Sequence, residues 1–93
     1  MSLAPEVGLN ELRIELDRID ASMQALLIER SQVTDRVEEV KRRAGTAGSA
    51  FRPGREAQIM RMLAERHHGS YPFDSTENIW RVIIGTSTYV QVP

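Results

Sequence analysis

Apolar residues recur along the first half of the chain at Leu12, Leu16, Ile19, Met23 and Leu26, and again at Val33, Val37 and Val40, with spacings that alternate between four and three. This is a heptad pattern, and Arg30 fills the one position in the series that is not apolar. Leu9, Leu27 and Ile28 widen the stripe, and no proline or glycine interrupts residues 9 to 44, so the spacing predicts one continuous helix over that stretch. Glu38 precedes Arg42, and Glu39 precedes Arg43, by four residues, the separation at which opposite charges meet on a helix surface. Ala44-Gly45 then supplies an end, with basic side chains in the last turn to complement the helix dipole.

A helix of that length runs to about 50 Å at 1.5 Å per residue. A compact chain of 93 residues has a radius of gyration of only about 12 Å. The helix is expected to overhang the body it belongs to, and its apolar stripe then needs a cover from outside. A second copy of the chain is the economical cover, which predicts an intertwined two-fold homodimer.

The second half reads differently. Residues 45 to 51, Gly-Thr-Ala-Gly-Ser-Ala-Phe, are mostly small and flexible and predict a mobile loop. Arg52-Pro53-Gly54-Arg55-Glu56 opens a second helix, with Pro53 in its first turn and Ile59, Met62 and Leu63 on one face, and His67-His68-Gly69 stops it. After Tyr71-Pro72, the run Asp74-Ser75-Thr76-Glu77 has the form of a capping box, and Ile79, Trp80, Ile83, Ile84, Ser87 and Gln91 follow at helical spacing. The β-branched run Val82-Ile83-Ile84 is the rival strand signal. The predicted fold is all-α, with one long and two shorter helices. Residues 1–8 carry no periodicity and are expected to be a flexible N-terminus, leaving residues 9–93 as a single helical domain.

Composition narrows the function classes. With no cysteine there is neither a disulfide framework nor a thiolate metal site. Twelve basic residues against 13 acidic ones give a net charge of -1, which argues against a nucleic-acid binder with a broadly basic surface. No apolar run approaches the roughly 20 residues of a membrane span, and no signal-like core follows the N-terminus, so a cytoplasmic protein with no membrane partner is expected. Eleven of the basic residues are arginine, the exception being Lys41. Arginine suits two-pronged recognition of carboxylates.

Several residues could carry chemistry. A cation at a heptad core position, as Arg30 is, needs an anion to meet it: an acid such as Asp20 of another chain, or a ligand. Lys41 lies eleven residues on and about 20° around the helix from Arg30, so the two share a face. Arg13 projects about 100° away, and so serves either a pair with Asp17 or a site on a partner chain. Glu56, beside Arg55 at a helix start, complements the dipole or receives a donor. Ser87 and Gln91 make a polar strip beside Ile84 and Trp80. The adjacent His67 and His68 point apart and have no third metal ligand of their kind, which leaves them as a cationic helix end; Trp80, Met60 and Met62 read as core. Phosphate loops, nucleophile elbows and metal-spaced acid sets are absent from the sequence.

Taken in order, Leu12-Arg13 with Ile19-Asp20, Leu26-Leu27-Ile28-Glu29-Arg30, Val40-Lys41, Arg52-Pro53 with Arg55-Glu56, and Ile83-Ile84 with Ser87 and Gln91 resemble the all-helical chorismate mutases over residues 9 to 91. The resemblance implies a dimer of three-helix chains in which each active site takes an arginine from the opposite subunit. By position, Arg13 would be that arginine and Arg30 the other carboxylate clamp. Lys41 and Gln91 would hydrogen-bond the ether oxygen of chorismate, Glu56 the ring hydroxyl, and Arg55 and Ser87 would support the carboxylate end. Arg52 stands where the family often has an acidic residue, a departure that bears on fine substrate positioning. The implied activity is the rearrangement of chorismate to prephenate, on the way to phenylalanine and tyrosine, with no cofactor and no metal. Two alternatives share these residues or this pattern: an isochorismate-pyruvate lyase of the same fold, which the placement of Glu56 disfavours, and a non-catalytic helical dimerisation module in which Arg30 only sets register.

Overall fold

The computed structural model describes residues 5–45 and 53–91, with side chains described over residues 8–45 and 54–87. Three helices follow in order: α1 (Pro5–Arg43), α2 (Pro53–Arg66) and α3 (Phe73–Gln91). The all-α expectation holds, and Val82-Ile83-Ile84 is helical: Ile84 is buried in the α2–α3 contact, while Val82 is 68% exposed and helical all the same. The loop expected over residues 45–51 lies, apart from Gly45, outside the described residues.

Two of the helices begin earlier than the sequence pattern predicts. The first helix starts at Pro5, four residues before the periodicity begins at Leu9. A proline is accommodated in a first turn because its missing N–H would have no intrahelical partner there. Likewise α3 starts at Phe73, so Asp74 sits in the first turn, where it complements the dipole, and is not the N-cap. The Ser75 amide donates to the Pro72 carbonyl at 3.1 Å, which places the helix entry at Pro72.

The C-terminal end of α1 is as expected. The Ala44 amide continues the helix to the Val40 carbonyl (3.0 Å), and the Gly45 amide turns back to Arg42 (3.2 Å) with φ at +78°. That is the inner bond of a Schellman-type cap, which needs the left-handed backbone that glycine supplies. Glu38 and Glu39 meet Arg42 and Arg43 as the spacing predicts, at 3.9 Å for Glu38–Arg42 and 3.1 Å for Glu39–Arg43, and Arg42 also bonds Glu39.

The chain divides into two compact units, Met1–Val33 and Thr34–Pro93. In the first, the heptad stripe of α1 is open: Leu12, Leu16 and Leu26 are 59%, 57% and 63% exposed. In the second, α2 packs against α3 around Leu63 and Ile84, the two buried hydrophobic side chains among the described residues. The corner between these helices is closed by Gly69 at φ +97° and by the ring of His67, which meets Phe73 edge-on at 5.4 Å and 71°. His68 turns its Nδ1 to the Arg66 carbonyl at 3.0 Å. The two histidines are thus engaged separately, each in closing the corner.

Candidate active site

From Leu9 to Arg43, α1 is exposed except at Arg30, Thr34, Glu38, Glu39 and Lys41, which are half-buried. Glu38 and Glu39 are accounted for by their pairs with Arg42 and Arg43. The other three lie on one face of the helix, since steps of four and seven residues turn it by only about 40° and 20°. Arg30, Thr34 and Lys41 are each engaged in a polar interaction within the chain. A long cationic side chain that is half-buried on an otherwise open helix keeps its charge where an anion can reach it. Arg13 is exposed, and among the described residues no ion pair joins it to Asp17.

The second unit carries the rest of the set that the side chains describe. Glu56 stands half-buried in the first turn of α2, where the helix dipole favours its negative charge. Its neighbour Arg55 is exposed and donates from Nη1 to Oε1 of Gln58 at 2.8 Å. On α3, Ser87 is part-buried and its hydroxyl donates to the Ile83 carbonyl at 3.0 Å, besides a further interaction within the chain. Gln91 is the last residue of α3, and its side chain lies outside those described, as does Arg52 altogether. Lys41, Glu56, Arg55 and Ser87 fall within one unit and Arg13 and Arg30 within the other; among the described residues the packed pair of helices is α2 and α3, so Lys41 on α1 is not brought against Glu56, Arg55 or Ser87.

Thr34 has no counterpart in the sequence reading. A threonine in a polar stretch of helix carries no motif, and the signal that singles it out is angular: it lies on the face that Arg30 and Lys41 share. A separate open cleft of about 240 Å³ at the α2–α3 corner is lined by Leu63, Arg66, His67, His68, Thr76 and Trp80, and it contains none of the candidate site residues.

The chemistry such a set can perform is bounded by its groups. Arginines and a lysine bind and polarise anionic oxygens, one carboxylate accepts a hydroxyl proton in a hydrogen bond, and serine and glutamine donate without ionising. The set suits the anionic oxygens of a ligand. Among the described residues no helix is long and apolar enough to cross a membrane.

The chain matches the chorismate mutase type II family over residues 12–92, a stretch that runs from before Arg13 to beyond Gln91. It is 36% identical over 78 residues to a bifunctional chorismate mutase/prephenate dehydratase of Aquifex aeolicus, covering 82% of this chain and 22% of that protein. To the bifunctional chorismate mutase/prephenate dehydratase of Neisseria gonorrhoeae it is 32% identical over 81 residues, covering 87% of this chain and 21% of that protein. The chain thus spans about a fifth of the length of these relatives. The extent of the family match, together with an all-helical fold, shows that the chain belongs to the chorismate mutase type II family.

Proposed function

We propose that this chain catalyses the rearrangement of chorismate to prephenate, in the cytoplasm, as a homodimer whose two active sites are each built from both subunits. The observation that carries the proposal is the family match over residues 12–92, which encloses Arg13, Arg30, Lys41, Arg52, Arg55, Glu56, Ser87 and Gln91 in the order and spacing quoted above.

The reaction asks little of an enzyme in the way of reactive groups. Chorismate rearranges by an intramolecular exchange of bonds: the ether carbon–oxygen bond breaks as a new carbon–carbon bond forms, with no required proton transfer, nucleophile, cofactor or metal. Catalysis then consists of holding the folded conformer and stabilising the charge that gathers on the ether oxygen. Arg30 and the partner chain's copy of Arg13 hold the two carboxylates. Lys41 and Gln91 donate to the ether oxygen, and each such preorganised donor is worth about 100- to 1000-fold in rate. Glu56 accepts from the ring hydroxyl, while Arg55 and Ser87 steady the carboxylate end.

The open stripe of α1 supports the dimer. All eight apolar seam residues, from Leu12 to Val40, are exposed in the single chain, between 38% for Ile19 and 66% for Val40. Covering each is worth about 1 kcal/mol or more. Summed over two chains, this exceeds the order of 10 kcal/mol that association costs.

The test is loss of chorismate absorbance with purified protein, with prephenate identified as product and isochorismate supplied in parallel. Rapid conversion of chorismate to prephenate is the expected result. Pyruvate release from isochorismate in place of it would make the chain a lyase, and inactivity on both substrates would leave a dimerisation module.

A further inference from the structure

Thr34 is the one half-buried residue of α1 between Leu9 and Arg43 that neither the last-turn salt bridges nor the sequence motifs explain. It lies one turn after Arg30 and two turns before Lys41, offset from them by about 40° and 20° around the axis. It is the neutral hydrogen-bonding side chain between two cations on that face, and it is engaged in a polar interaction. Threonine is among the weaker helix formers, so helix propensity does not account for its presence in the middle of a long helix.

We propose that Thr34 is a further substrate-contacting residue, its hydroxyl hydrogen-bonding the anionic substrate held between Arg30 and Lys41; this rests on the chorismate mutase proposal. A helical side chain covers the turn N-terminal to its own Cα. A ligand that bridges Arg30 and Lys41 therefore lies over the surface that Thr34 and Val37 line. Carboxylate and ether oxygens are acceptors only, so the hydroxyl donates. The usual alternative use of a mid-helix threonine proton is the carbonyl four residues back, here that of Arg30. That carbonyl already accepts the Thr34 main-chain N–H in the helix, so the hydroxyl proton can pass to a bound substrate without leaving a backbone group unpaired.

The experiment compares the full-length wild-type chain with Thr34→Val and Thr34→Ser, measuring kcat and KM for chorismate, the melting midpoint and the mass in solution. Valine keeps the shape, the β-branch and a similar helix propensity while removing the hydroxyl. Because Thr34 is already engaged within the chain, binding exchanges one interaction for another, and Thr34→Val is expected to lose about three- to tenfold in kcat/KM. Thr34→Ser is expected to stay within about twofold of wild type, and both are expected to melt and assemble as the wild type does. Wild-type kinetics for Thr34→Val overturn the assignment. So does a loss that serine fails to repair, or one accompanied by a lowered midpoint, since either marks a packing role. An inactive wild-type chain would instead overturn the chorismate mutase proposal and this one with it, whereas an active wild type with an unaffected valine variant overturns this one alone.

Discussion

The hydroxyl of Ser87 donates its proton to the main-chain carbonyl of Ile83, 3.0 Å away and one turn back along α3. The serine is thus satisfied before any ligand binds. To donate to a substrate carboxylate it has to give up this bond, so binding exchanges one hydrogen bond for another and the net gain is small. Ser87→Ala is therefore expected to lower kcat/KM by less than about tenfold, chiefly through KM, with the fold intact. Steady-state kinetics on chorismate check this, and a loss of 100-fold or more would mean that Ser87 has a larger part than its resting geometry supports.

Arg30 is in a different position. It is a cation at a heptad core position, half-buried, on a helix whose apolar seam is open. Arg30→Ala is expected to lower kcat/KM by at least about 100-fold, because the substitution removes a full positive charge that meets a substrate carboxylate. The dimer is expected to survive, since the apolar seam on either side is unaltered. Size-exclusion mass and chorismate turnover, measured on the same preparation, separate the two outcomes.

Met23 provides a test of the seam away from the chemistry. It is 54% exposed in the single chain, and glutamate is nearly as good a helix former as methionine. For a solitary helix Met23→Glu would be almost neutral. For an interface it places two carboxylates, one from each chain, in an apolar contact, and the dimer is expected to dissociate with loss of activity. Analytical ultracentrifugation reads the mass directly.

Gln91 needs no proton in order to donate, so turnover is expected to be flat across neutral pH. Replacing it by glutamate ties activity to the protonated acid. An ordinary glutamate titrates near about 4.3, and the protonated form, the one able to donate, is lost as pH rises through that value. Gln91→Glu is thus expected to be active at acid pH and to fade towards neutrality, opposite in trend to the flat wild-type profile. A pH–rate series on both proteins shows the difference.

Much of the architecture was legible in the sequence because it is built from helical periodicity and local pairs. The heptad run Leu12 to Val40, the Glu38–Arg42 and Glu39–Arg43 bridges and the glycine cap at Gly45 depend on residues within two turns of one another. What was not legible depends on contacts made across elements or on entry geometry. The first turns at Pro5 and Phe73 are set by prolines and, for α3, by the packing of Phe73 on His67, neither of which an apolar period reports. Of the site, Arg30 and Lys41 announced themselves as cations on an apolar face. Thr34, half-buried on the same face, did not, because nothing in its residue type distinguishes it in the sequence.

A site assembled from two chains makes a sharp demand of mixed dimers. Arg13→Ala and Lys41→Ala chains are each expected to be inactive alone, since every site in either dimer lacks one cation. After subunit exchange, half of the dimers are hybrids, and one of the two sites in each hybrid has its Lys41 from one chain and its Arg13 from the other. Mixing the two inactive proteins at equal concentration is then expected to restore about a quarter of wild-type chorismate turnover. No recovery, with subunit exchange verified by mass, would contradict the shared site.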